Sequence, residues 1–247
     1  MSAPRRFDFL GGLRFFFESP GWGKHLAVLS LAGLFACVLI GAPYLAGYMY
    51  RMAHRRAKGE PPLPPLDDPF GMFKDGLRSL LFTELQMLVF FLPAIVCALF
   101  ALLLAQPPAD DFDAGYGTPP SPAMLLVLLL SAILGGIGLL AGALYIPASH
   151  ARFMATGTFR AALDVNANLA FIRRNLANIG LMYTQAIVAS VLSNAGLILC
   201  VVGIYPATIW SILVLAWGEG EVIRCDPQSA AAEGVIPAGT SDRPYRS

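Results

Sequence analysis

The chain is 247 residues long, 56% hydrophobic and only 13% charged, with a formal net charge of +1. A soluble domain carries roughly 25% charged and 45–50% apolar residues, so the composition excludes an ordinary soluble domain and points to lipid. The net charge carries no message about nucleic acid, and no nucleic-acid partner is expected. The 17 Lys and Arg fall in four stretches, 1–24, 51–78, 148–175 and 219–247, and the apolar runs between them hold one charge, Glu84. Lipid imposes such segregation, because a charge at mid-bilayer costs roughly 2.5–3.5 kcal/mol even on the lenient insertion scale. Backbone polar groups must also be satisfied internally there, and runs this long without period-2 alternation predict helices rather than barrel strands. The expected fold class is therefore an all-α integral membrane protein. It has about five membrane segments, the first open to a re-entrant reading, and two amphipathic interfacial helices, all in one membrane domain over 1–225.

Residues 5–20, RRFDFLGGLRFFFESP, mix Arg with Phe and Leu and read as an interfacial segment ending at Pro20-Gly21. The first apolar run begins only at Leu26, with no cleavage site after a short core, so it is expected to stay in the mature protein. That run, 26–50, has basic residues on both sides: Arg5, Arg6, Arg14 and Lys24 before it, and Arg51, Arg55, Arg56, Lys58, Lys74 and Arg78 after it. Either the basic N-terminus is exported, or the run enters and leaves on one side with its break at Gly41-Ala42-Pro43. The charge bias favours the second arrangement.

A linker follows whose PPLPPLDDP core, 61–69, must be extended or turning because Pro fixes φ and lacks an amide hydrogen. Run two, about 79–105, carries Glu84, Gln86 and Pro93; loop 106–122 has three Asp and no Lys or Arg; run three is 123–147. Residues 159–174 form a second amphipathic stretch, with Phe159, Ala162, Leu163, Leu169, Ala170 and Ile172 near one face and Arg160–Asp164 an i,i+4 pair on the other. The last run, 176–218, is about twice the ~20 residues a 30 Å core requires, so it is expected to be a helical hairpin. Its turn falls either at Ser193–Gly196 or near Val202-Gly203. Residues 226–247 read as a disordered tail.

Basic loops 51–78 and 148–175 belong in the cytoplasm and loop 106–122 outside, which leaves the C-terminus cytoplasmic. There is a faint internal echo: an amphipathic basic stretch precedes a membrane hairpin both at 5–50 and at 159–218.

Glu84 stands out as the lone carboxylate inside an apolar run, and intramembrane acids are functional candidates by default. With Gln86 and Asn194 it makes a candidate polar site, but it lies only six residues after Arg78, near the interface, and no second acid or His completes a relay. A structural role for it is the stronger expectation. Ser131, Gly135, Gly138 and Gly142 recur at spacings of 4, 3 and 4, and Ser30, Gly33, Cys37 and Gly41 likewise make one helix face in run one at spacings of 3, 4 and 4. Such small-residue faces let helix backbones approach closely. His25, His54 and His150 are far apart, and Cys37, Cys97, Cys200 and Cys225 show no paired spacing. No catalytic, cofactor-binding or metal-binding constellation is visible, and no cofactor is expected.

Several segments in order carry a resemblance. They are Pro20-Gly21-Trp22-Gly23-Lys24, Gly47-Tyr48-Met49-Tyr50-Arg51-Met52, Lys58-Gly59-Glu60-Pro61, Leu66-Asp67-Asp68, Phe73-Lys74-Asp75-Gly76-Leu77 and Phe159 to Asn175. This order resembles the prokaryotic polytopic membrane family catalogued as domain of unknown function four-zero-one-three, over roughly 7–222. The doubled prolines at 61–62 and 64–65 and the acidic loop are local departures. The resemblance implies architecture and a prokaryotic cytoplasmic (inner) membrane location, and supplies no catalytic residues. The expected function is a non-catalytic scaffold or accessory subunit, with the lipid bilayer, other membrane subunits or a second copy as partners. The alternative is a small-solute or ion transporter or channel with a polar path near Glu84.

Overall fold

The computed structural model describes residues 6–36, 41–104, 121–156, 158–195 and 204–226, and every regular element among them is helical. In chain order these are α1 (Phe9–Glu18), α2 (Trp22–Ala36), α3 (Gly41–Ala57), α4 (Pro69–Leu104), α5 (Pro122–Thr156), α6 (Phe159–Ala162), α7 (Val165–Ala195) and α8 (Ile204–Cys225). Three of them, α4, α5 and α7, are long and apolar enough to cross a membrane. Residues 106–120 of the expected outer loop and all but the first residue of the expected tail lie outside the described residues, while Ser121 and Pro122 open a helix.

The starts are set by side-chain oxygens that accept the orphan amides of a first helical turn. Asp8 accepts from the Gly11 amide (2.9 Å), Asp68 from Gly71 (2.9 Å), Ser121 from Met124 (3.2 Å) and Asp164 from Ala167 (3.1 Å). Behind Asp68 and Ser121 stand Pro69 and Pro122, at the first helical position where a missing amide is harmless. The Asp68-Pro69 pair starts α4 ten residues before the apolar run, so part of the expected linker is helix. α3 ends in the reverse way. Gly59, at φ 75°, lets its own amide reach the Arg56 carbonyl (2.9 Å) and the Glu60 amide reach that of Arg55 (3.0 Å).

Run one is not a single helix. α2 and α3 have 15 and 17 residues, about 22 and 25 Å at 1.5 Å per residue, each short of a ~30 Å core. They fold back antiparallel. Gly41 packs on the backbone of Ala32 and Ala36, while farther along Tyr48 Oη lies 2.9 Å from His25 Nδ1. Gly41-Ala42-Pro43, the expected break, instead opens α3, and residues 37–40 lie outside the described residues. Run 176–218 likewise forms an antiparallel pair, α7 against α8, with Met182 facing Gly218. Ser193 and Asn194 are still helical, and the other expected turn positions, Gly196 and Val202-Gly203, lie outside the described residues.

The amphipathic stretch 159–174 is divided. α6 ends at Ala162, Asp164 caps α7, and α7 then continues unbroken into the apolar run. Asp164 is taken as a cap instead of an i,i+4 partner on Arg160's helix, the usual preference of Asp at a helix start.

Packing divides the chain into two units. One comprises 1–80 with 147–247. Its core gathers Phe15, Phe16, Leu29, Tyr48, Met52, Met72, Leu213 and Trp217, with a second cluster around Ala53, Phe171, Ile179 and Met182. The aromatic side of α1 is thus partly committed to protein: Phe15 and Phe16 are buried, Leu10 and Phe17 exposed. The other unit, 81–146, pairs the apolar lengths of α4 and α5.

Candidate functional site

Polar chemistry in the first unit concentrates on the last two turns of α3. α3 crosses α4 where Gly47 and Gly76 meet; a Cβ on Gly47 would overlap the Met72 carbonyl, and one on Gly76 the Pro43 carbonyl. That approach brings Arg51, one turn along α3, between two carboxylates. Its Nε donates to Asp75 Oδ2 (2.8 Å) and its Nη2 to Asp68 Oδ2 (3.0 Å). Asp68 is held below the usual carboxylate range, first by the Gly71 amide and then by Arg51. The segments Gly47–Met52, Leu66–Asp68 and Phe73–Leu77, separate in sequence, therefore make one clasp.

The next turn makes a second. Arg56 Nε lies 2.8 Å from Glu221 Oε2 on α8, and Arg224 reaches the same carboxylate at 2.8 and 2.6 Å. Glu221 is fully buried, and the Asp8 amide also donates to it at 3.3 Å. Arg56 lies over the Trp217 ring at 4.3 Å, and Trp217 stacks on Phe15. Burial pulls Arg56 down while Glu221 opposes that pull, and the Glu221 hydrogen bonds raise Arg224. Buried Asp226 pairs with Arg174 at 3.4 Å, so the first residue of the expected tail is tied down. Gln185 of α7 donates to the Phe9 carbonyl and, with Trp217, forms the seat on which Gly12 packs. These contacts join α1, α3, α7 and α8 at one end.

Chemically the clasps hold rather than react. A guanidinium between carboxylates keeps its charge, and removing one partner leaves a buried charge uncompensated. Among the described residues no group of His, Cys, Asp and Glu is arranged to hold a metal ion.

Glu219 differs from its neighbours. α8 is squeezed on both sides of it, with Gly218 against Met182 and Gly220 against the Ala53 carbonyl and Arg56. Its carboxyl is half-buried yet surrounded by packed helices, and no hydrogen bond or ion pair joins it to a described residue. It lies one residue beyond the apolar run of 176–218.

The sequence candidates fall elsewhere. Glu84 is exposed on α4 and Gln86, two residues on, is buried, so they occupy opposite faces; Asn194 is exposed near the end of α7. The small-residue face of α5 lies on α4. Ser131 Oγ donates to the Ala94 carbonyl (2.8 Å), Gly135 opposes Ala94, Gly138 rests on the Phe90 carbonyl, and Gly142 on the Phe90 ring. Gly33 and Gly41 of the other small-residue stripe face Ile209 and α2 respectively. The two clasps were missed because their partners are up to 165 positions apart, though the Asp68-Pro69 and Gly59-Glu60 capping signals were readable.

No curated protein and no solved structure matches the chain. One family model does match, across residues 30–206, well over half of the 247 residues, and it takes in Gly47, Arg51, Asp68, Asp75 and Gly76. The chain belongs to the family described as protein of unknown function DUF4013.

Proposed function

We propose that this is a non-catalytic polytopic protein of a prokaryotic cytoplasmic membrane, a scaffold or accessory subunit. The observation that carries the reading is the use of Arg51, Arg56, Asp68, Asp75 and Glu221 in ion pairs that lock helices together. Sites that bind or transform a substrate leave polar groups converging on open space instead. The membrane setting is supported by α4 and α5, where only 11% and 6% of the apolar windows is buried. Surface this apolar is stable against lipid or another membrane helix, not water. In this reading α4, α5 and the α7–α8 hairpin cross, to make four spans. The short α2–α3 hairpin dips in and returns, so that both its basic flanks and the C-terminus stay in the cytoplasm. Lipid is the first partner, and other membrane subunits or a second copy complete the scaffold.

One observation favours the second reading, transport of a proton or cation. Glu219, not Glu84, is the enclosed carboxyl without a described partner. The two readings separate in vesicles. Purified protein reconstituted around a pH-sensitive dye is expected to leak protons no faster than protein-free vesicles under an imposed potential. A flux several-fold above that background, abolished by Glu219→Gln at equal incorporation, would establish the transporter.

A further inference from the structure

α4 is one helix from Pro69 to Leu104, although its apolar run begins only near residue 79. Positions 70, 74, 77, 78, 81, 85 and 88 fall along one side of it at the 3.6-residue repeat. On this side Phe70 (78%), Leu77, Leu81, Leu85 and Leu88 are exposed, and so are Lys74 and Arg78 between them. Neither cation has a hydrogen bond or ion pair to a described residue. The carboxylates of these turns are directed elsewhere, since Asp68 and Asp75 both take Arg51 on the α3 side. Asp67 precedes the helix, and Glu84 lies six residues past Arg78, beyond the i+3 and i+4 positions at which helix side chains pair.

We propose that this face of the first three turns of α4 docks on the cytoplasmic leaflet, with Phe70 and Leu77 in the headgroup layer and Lys74 and Arg78 on lipid phosphates. The chemistry fits a layer where phosphate lies over hydrocarbon. Methylene stems run along apolar surface while the ammonium and guanidinium reach phosphate oxygens. Length supplies the geometry. Residues 79–104 extend about 39 Å at 1.5 Å per residue, more than a ~30 Å core, and such an excess is accommodated by tilt. A tilted α4 leans its first turns over the leaflet, and the side continuous with the outward leucines is the one that meets it. In water the apolar members of this face gain nothing. The inference rests on the membrane reading above but not on the scaffold role.

The test is nitroxide accessibility in the full chain, reconstituted in vesicles of phosphatidylethanolamine and phosphatidylglycerol, with Cys37, Cys97 and Cys200 replaced by Ala and buried Cys225 kept. Labels on Phe70→Cys and Leu77→Cys should favour oxygen over a water-soluble nickel chelate about three-fold more than a label on Lys58→Cys, exposed just past α3. Lys74→Glu with Arg78→Glu should remove most of that preference at Leu77→Cys, and Lys74→Arg should keep it. Lys74→Gln alone keeps the test if the double variant does not insert, and should lower the preference about 1.5-fold. Nickel accessibility as high as at Lys58→Cys, protection from both reagents by a covering protein, or a preference untouched by the charge variants would each overturn the proposal. A label on Leu88→Cys reports the span itself. Oxygen preference there, without any at Phe70→Cys and Leu77→Cys, sinks this inference alone; no preference at any of the three sinks the membrane reading with it.

Discussion

The α4–α5 pair of residues 81–146 and the helices gathered around α3 and α8 solve the packing problem with different residues. In the first, small side chains sit beneath Phe90 and Ala94, and the outward surface is Leu, Val and Ile, with Val89 64% and Leu140 71% exposed. In the second, glycines bring backbones together so that arginines can reach carboxylates on other helices, and the largest buried side chain is Trp217. The first arrangement suits helices whose surroundings are as apolar as themselves, where close backbone approach supplies the association. The second gains stability from long-range, directional contacts, and fails more abruptly when one is removed.

That contrast is most sharply tested at the glycines. Gly76→Leu would force α3 and α4 apart, since even a Cβ collides with backbone at Pro43 and Gly47. Overpacking usually costs about 1–3 kcal/mol, and a backbone collision that cannot relax costs more. The expected outcome is loss of nearly all assembled protein by size-exclusion chromatography in detergent. Gly136→Leu, in the other unit and facing open space, should leave assembly unchanged. Similar yields for both variants would erase the distinction between the regions.

The Glu221 clasp gives the next effect. Arg56→Met leaves Glu221, fully buried, with Arg224 as its remaining guanidinium, and should cost on the order of 3 kcal/mol. Adding Glu221→Met removes the buried, half-compensated carboxylate but leaves the partly exposed Arg224 without it, so the double variant should recover part of that loss. Denaturation midpoints of the two variants measure the difference, and a double variant no better than the single one would show that the pair holds the helices by itself.

How much of this was readable varies with the physics involved. The α7–α8 hairpin follows from length alone, because no bilayer accommodates residues 176–218 as one span. That run one holds two helices follows from its basic flanks, but Gly41-Ala42-Pro43 opens α3 instead of breaking the run, since Pro is accepted in a first helical turn. The start of α4 was hidden because Lys74, Asp75 and Arg78 look like a polar linker; only the clasp to Arg51 shows why those charges belong on a helix. The pairing of Arg160 with Asp164 was overridden by a local rule of equal range, the preference of Asp for a helix start. Arg56 and Glu221 had no local signal at all, since hydrophobic periodicity reports which face is buried and not which distant charge meets it.

Two acids carry the same lesson to its smallest effect. Glu84 attracts notice because it interrupts an apolar run, yet it is exposed, whereas Glu219 sits at a run's edge and is enclosed. Glu219→Gln keeps the shape of the side chain and removes a charge from a packed corner, so it should leave the variant more stable than wild type at pH 8. Glu84→Gln should leave the yield unchanged and the midpoint within about 0.5 kcal/mol, as for a surface substitution away from special contacts. Unfolding of both variants at pH 8 reads the two effects together. A stability change made by Glu84→Gln and not by Glu219→Gln would reverse the contrast between the two acids.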